Sequence, residues 1–215
     1  MNGKPNRNPI PRPKSRHKGH LPRLQPHRYQ AHAVVFWTLT LENRARGWLS
    51  TQFHSDFREW MLHAAAREGI FCPVYCLMPD HTHHVWMGLR PAANQLDAMR
   101  FLRGQFNLGL EETWCRTHRA TDPSPNHNGE SDPRRWSLQD QAHDHVLRPA
   151  ERERDALQRT CDYVLNNPVR AALVERTADY PYCGAIVPGY PRRHPLEDRF
   201  WPLYWRLFAE AREDP

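Results

Sequence analysis

The sequence predicts an α+β fold, a small sheet built around a β-hairpin with helices packed against it. Three observations carry this. Residues 31–41 and 71–89 are rich in β-branched and aromatic side chains, as strands are. Apolar residues recur at helical spacing in three other stretches, near 53–65, 96–110 and 157–165. Their order along the chain is strand, helix, hairpin, helix, strand, helix.

The first 27 residues carry Pro5, Pro9, Pro11, Pro13, Pro22 and Pro26 among basic and polar residues, and read as a disordered arm. Lys4, Arg7, Arg12, Lys14, Arg16, Lys18, Arg23 and Arg28 precede the first acid, Glu42. Taking those eight from the 30 basic residues leaves 22 against 24 acids, so the formal charge of +6 belongs to the arm and not to the globule. Such an arm suits a polyphosphate partner, or serves only as a solubilising leader. Residues 28–190 form the expected domain, and 191–215 a tail with a short aromatic helix.

Ala31–Leu41 reads as the first strand. Ser50 or Thr51 caps a helix whose Phe53, Phe57, Trp60, Met61, Ala64 and Ala65 face the core, and Gly69 stands where a helix ends. The hairpin follows, with strands over 71–78 and 81–89 and a turn at Pro79-Asp80. Asn94 opens a second helix from Gln95 to about Trp114. On it Leu96, Met99, Leu102, Phe106 and Leu110 make the apolar side, while Arg100, Arg103 and Asn107 make a polar line able to hold phosphates or simply face solvent. Residues 117–135 are turn-rich. Trp136–Gln141 reads as a short last strand, and 144–148 is left open. A third helix starts near Pro149 and stops near Asn166, before Pro168. Its apolar stripe is Leu157, Cys161, Val164 and Leu165. Tyr163 lies far round from that stripe, with Arg159, Thr160 and Asn167 on its own side. The tail ends in Trp201, Tyr204, Trp205 and Phe208 at helical spacing.

The hairpin carries the chemistry. In Met78-Pro79-Asp80-His81-Thr82-His83-His84 strand alternation puts His81 and His83 on one face and His84 on the other. Paired neutral imidazoles are half of a metal site. Five cysteines without a C-x-x-C pair read as free thiols of a reducing cytoplasm. No apolar run reaches membrane-spanning length.

Four stretches together resemble the HUH single-tyrosine transposases, of the REP-associated tyrosine transposase type. They are Met78-Pro79-Asp80-His81-Thr82-His83, Phe101-Leu102-Arg103-Gly104, Trp136 through Asp144-His145-Val146, and Tyr163-Val164-Leu165-Asn166-Asn167-Pro168-Val169-Arg170-Ala171-Ala172-Leu173-Val174. The resemblance spans about residues 28–190. Asp80 stands where that family usually has Asn, Thr82 where the middle position is usually apolar, His84 is an extra imidazole, and Ala172 replaces a common Gly. The resemblance implies a ferredoxin-like (RRM-like) fold with a central antiparallel sheet. It implies a transposase or nickase that cuts and rejoins single-stranded or stem-loop DNA, repetitive palindromic elements among them. Tyr163 would be the nucleophile of a 5′-phosphotyrosine intermediate, and His81, His83 and Asn167 would hold Mg²⁺ or Mn²⁺, with Zn²⁺ tolerated. Arg100, Arg103, Asn107, Arg159 and Arg170 would contact DNA. A monomer or homodimer in the cytoplasm, at the nucleoid, is expected. Two other readings stay open: a non-cleaving nucleic-acid-binding protein of the same fold, and a metal-dependent phosphodiesterase that uses water.

Overall fold

A computed structural model describes residues 23–118, 135–190 and 193–212. Most of the basic arm (1–22) and of the turn-rich loop (119–134) lies outside the described residues.

The chain runs β1 (Val34–Thr40), α1 (Thr51–Glu68), β2 (Ile70–Met78), β3 (His81–Gly88), α2 (Gln95–His118), β4 (His143–Val146), α3 (Arg154–Leu165), α4 (Asn167–Arg170), β5 (Cys183–Ile186) and α5 (Phe200–Ala211). The sheet order is β4-β1-β3-β2-β5, and every neighbouring pair is antiparallel. The first six elements are thus the β-α-β-β-α-β unit of ferredoxin-like folds. β5 extends the sheet at the edge of β2.

Local chemistry sets the boundaries. Ser50 Oγ accepts from the Phe53 N–H at 3.2 Å and caps α1. Gly69 ends α1 at φ 65°, a left-handed conformation that costs glycine nothing. Gly88 closes β3 where a Cβ would lie 1.8 Å from the Ala31 carbonyl oxygen. The two-residue turn between β2 and β3 is pinned from outside. Trp48 Nε1 donates to Pro79 O at 2.7 Å, and Leu41 N donates to Asp80 O at 3.1 Å.

Both faces of the sheet are covered. Val35, Trp37, Leu39, Tyr75, Leu77 and Trp86 pack under α1 and α2. Val34, Val74, Cys76, Met78, Val85 and Met87 pack under α3 and α5. This double cover is why β2 is buried along its whole length and reads as an unbroken apolar run. His81 and His83 share the parity of Val85 and Met87, so they belong to the face covered by α3 and α5.

Several elements differ from the sequence expectation. β1 starts at Val34, not Ala31, because Ala31 turns the chain with φ 53°. α2 runs on to His118. The last strand of the unit is 143–146 and not 136–141. Leu138 makes only an isolated bridge to Leu41, and the segment's polar groups go to α2 instead. Asn107 Oδ1 accepts from Leu138 N at 2.9 Å, and Arg103 Nη2 donates to the carbonyls of Gln139 (2.6 Å) and Asp140 (3.0 Å). β4 itself is a polar edge strand without an apolar signal. Residues 149–152 form a separate 3-10 turn, and α3 proper begins at Arg154. After α3 the chain does not leave helical geometry. It makes one more turn, α4, with Pro168 in the first-turn position that needs no N–H. α5 is the docked aromatic helix expected in the tail, burying Phe200, Tyr204 and Leu207.

Candidate functional site

The start of β3 brings His81 and His83 together, with their Nε2 atoms 3.1 Å apart. Two nitrogens bound cis to one ion at about 2.1 Å each would stand about 3 Å apart, so the pair fits a shared cation. Each ring is held from behind at its other nitrogen. Asp80 Oδ1 lies 2.6 Å from His81 Nδ1, and Thr38 Oγ1 on β1 lies 3.0 Å from His83 Nδ1. Such outer contacts fix the tautomer and aim of metal-binding imidazoles. Neither Asp80 nor Thr38 stood out in the sequence as part of a site. Asp80 did stand out as a departure from the family pattern, and the departure places a carboxylate behind His81.

The electrostatics agree with that role. Burial works to raise the Asp80 pKa, but the His81 hydrogen bond and charge, with Arg44 and Arg46, outweigh it and hold the carboxyl below its ordinary value. The two arginines stand 3.8 and 3.9 Å from Asp80 Oδ2. Burial, then the charges of His81, Arg44 and His143, push His83 down to about 4, so it is a neutral ring with a lone pair at physiological pH. His84 points the other way, as alternation requires. It is fully buried, 2.6 Å from Thr82 Oγ1, between Phe57 and Trp86.

Tyr163 lies on the outer side of α3, 49% exposed, while Leu157, Cys161, Val164 and Leu165 are buried. Asn167 follows on α4. Its Nδ2 donates to the carbonyls of Tyr163 (3.2 Å) and Val164 (3.3 Å), and its Oδ1 makes no hydrogen bond among the described residues. The Arg170 guanidinium sits 4.5 Å above the Tyr163 ring. Tyr163, Asn167 and Arg170 are therefore one cluster at the α3–α4 junction. α3 packs on β2 and β3, and α4 on β2, on the face that carries His81 and His83.

Arg159 is exposed on α3, one turn before Tyr163 and on its side of the helix. The three expected DNA contacts on α2 do not gather with the cluster. Arg100 pairs with Asp97 on the surface of α2. Arg103 and Asn107 are committed to the backbone of 138–140, on the opposite face of the sheet. Among the described residues no group of three or more His, Cys, Asp and Glu side chains forms a metal cage.

No protein-family model matches the chain. A protein of Haemophilus influenzae that carries the provisional name REP-associated tyrosine transposase is 25% identical over 149 residues, 69% of this chain and 77% of the relative. The solved structure of a REP-associated tyrosine transposase bound to a REP hairpin superposes with a TM-score of 0.53 at 19% identity, over 77% of this chain and 81% of that one. The chain is similar to the REP-associated tyrosine transposases. The five-stranded antiparallel sheet with its helices is the fold they share. No helix among the described residues is long and apolar enough to cross a membrane.

Proposed function

We propose that this protein cuts and rejoins DNA strands through a covalent phosphotyrosine at Tyr163. The observation that carries the reading is the His81–His83 pair. Two imidazoles converge at 3.1 Å with both outer nitrogens anchored, on the sheet face whose covering helix exposes a tyrosine. His81 Nε2, His83 Nε2 and the open amide oxygen of Asn167 would hold a divalent cation, Mg²⁺ or Mn²⁺, with positions left for phosphate oxygens. When bound, that ion supplies Lewis-acid stabilisation of charge developing on the phosphate.

The chain's own groups do the rest. The Tyr163 hydroxyl oxygen forms a bond to phosphorus and gives up its proton, while the bond from phosphorus to the 3′-oxygen breaks and that oxygen takes a proton. A second 3′-OH reverses the step and rejoins a strand. Arg170, stacked on the tyrosine ring, holds the ring and places a positive charge beside the attacked phosphate. The partner is single-stranded or stem-loop DNA, as for the relative solved with a REP hairpin. A cytoplasmic, nucleoid-associated location follows from that partner.

The test is a covalent adduct. Labelled stem-loop DNA incubated with Mg²⁺ or Mn²⁺ should yield a detergent-resistant protein–DNA species that does not form when chelator is present from the start. Tyr163→Phe should lose the adduct and the cleavage while hairpin affinity stays within about twofold, since the ring and its Arg170 stack survive. Cleavage at the normal rate by the Phe variant would overturn the nucleophile and favour the water-using phosphodiesterase. Hairpin binding without any adduct in the unaltered protein would favour the non-cleaving alternative.

A further inference from the structure

Under α5, at the far end of the same sheet face, lies a second cavity, of about 450 Å³. That is the size of an ordinary small-ligand pocket. Val34 and Met87 form its floor. Its walls and rim include His32, Arg152, Arg154, Arg212, Trp205 and Phe208, and no acidic residue among the described ones lines it. The guanidinium groups of Arg152 and Arg154 on its wall favour an anion there.

His32 is the sharpest sign. Both of its ring nitrogens are shut off from solvent, and neither makes a hydrogen bond among the described residues. A neutral imidazole always carries one N–H, and an orphaned buried donor costs about 1–3 kcal/mol. Its acceptor must come from outside the described fold. The exposed side chain of Arg154 at the rim is long enough to swing aside and admit one. The Trp205 ring has the Arg154 guanidinium 5.2 Å from its centroid. A cation stacked on an indole at the mouth of a basic cavity is also a platform on which a nucleobase can stack.

We propose that this cavity is a nucleotide subsite, taking a phosphodiester against His32, Arg152 and Arg154 and the adjoining base against Trp205. It rests on the proposed DNA function and adds a second contact on the strand. Its place fits. Met87 is six residues along β3 from His81, about 20 Å at strand rise. Arg154 opens α3 and Tyr163 lies nine residues on, about 13 Å along the helix. α3 therefore bridges the two sites, and a single strand laid along it from Tyr163 reaches the cavity a few nucleotides from the cut. The cavity would thereby set where along the strand Tyr163 acts.

The experiment is equilibrium binding of a fluorescein-labelled single-stranded oligo-dT to the full chain in chelator, so that no cleavage enters the readout. A salt series and a competition with free dTMP accompany it. Arg154→Ala, on an exposed side chain, is the variant least able to disturb folding. Trp205→Ala and His32→Leu probe the base and the buried donor, and Arg206→Ala on the outer side of α5 is the control. Trp205→Ala should weaken binding roughly 5- to 150-fold, the range base stacking gives. Arg154→Ala should weaken it and lower the salt slope by about 0.7, one phosphate contact on a single strand. Unchanged affinity and slope in Arg154→Ala and Trp205→Ala would overturn the subsite. So would variants that lose dTMP but hold the oligonucleotide as before, since the cavity would then serve a free nucleotide. A chain that binds no single strand at all would sink the DNA function itself, whereas normal binding with silent cavity variants would sink only this inference.

Discussion

Ala172 holds a left-handed backbone, φ 54°. It follows α4 in a Schellman turn, in which Ala172 N bonds Val169 O at 3.0 Å and Leu173 N bonds Pro168 O at 2.9 Å. An L-residue there costs about 1–2 kcal/mol, and glycine returns part of that as lost chain entropy. Ala172→Gly should therefore raise stability by about 0.5–1 kcal/mol and the melting temperature by about 1–4 °C, read by thermal unfolding. An unchanged or lower midpoint would mean the alanine is not strained. The sequence marked this residue only as an unusual alanine, because φ is not written in composition. Asp80 is the second case. As the carboxylate behind His81 Nδ1 it should matter to a bound ion without touching it. Asp80→Ala should weaken Mn²⁺ binding about 10–100-fold by calorimetry, and Asp80→Asn less, since an amide oxygen can still accept from the ring. Equal affinity in all three proteins would remove Asp80 from the site.

The hairpin of β2 and β3 decides which histidines can act, because a one-residue slip would exchange its two faces. The register pairs Thr40 with His81 and Thr38 with His83, and sends His84 under α1 beside Phe57. His81→Ala or His83→Ala should abolish metal-dependent cleavage. His84→Ala should spare it while lowering the melting temperature, since it empties a fully buried site. Metal binding lost only in His84→Ala would mean the register is wrong. This much was legible from period-two alternation alone. So was the exposure of Tyr163, from its angle to the stripe of α3. The contacts of Arg103 and Asn107 were not legible. Their spacing on α2 reads as a phosphate line, but it is fixed by the backbone groups of 138–140, which must find partners because that segment forms no strand. β4 escaped for the same kind of reason. His-Asp-His-Val carries no apolar pattern, and it joins the sheet through backbone pairing and through Asp144, whose Oδ2 accepts from Tyr29 Oη at 2.5 Å.

At the scale of the whole molecule, the sheet separates the larger aromatic core from the candidate site. α1 and α2 cover one face with the larger aromatic core, and the other face carries the His pair, the α3–α4 tyrosine cluster and the basic cavity under α5. The domain outside the first 30 residues has fewer basic than acidic groups, so affinity for a polyanion must come from local clusters or from the arm. The structure describes the chain from Arg23, whose guanidinium lies over Trp37 at 5.8 Å and pairs with Asp144 at 3.5 Å, so that arginine is already used by the fold. Lys4, Arg7, Arg12, Lys14, Arg16 and Lys18 precede the described residues. If they bind DNA backbone, each phosphate neutralised adds about 0.9 to the salt slope of duplex binding and less for single strands. Removing residues 1–22 should then flatten the slope and weaken all DNAs alike, while preference for a stem-loop over a duplex of equal length survives in the folded domain. A leader that only solubilises predicts the same slope with and without those residues. Binding isotherms of the full and shortened chains from low to physiological salt separate the two, and an unchanged slope would exclude the arm as a DNA contact.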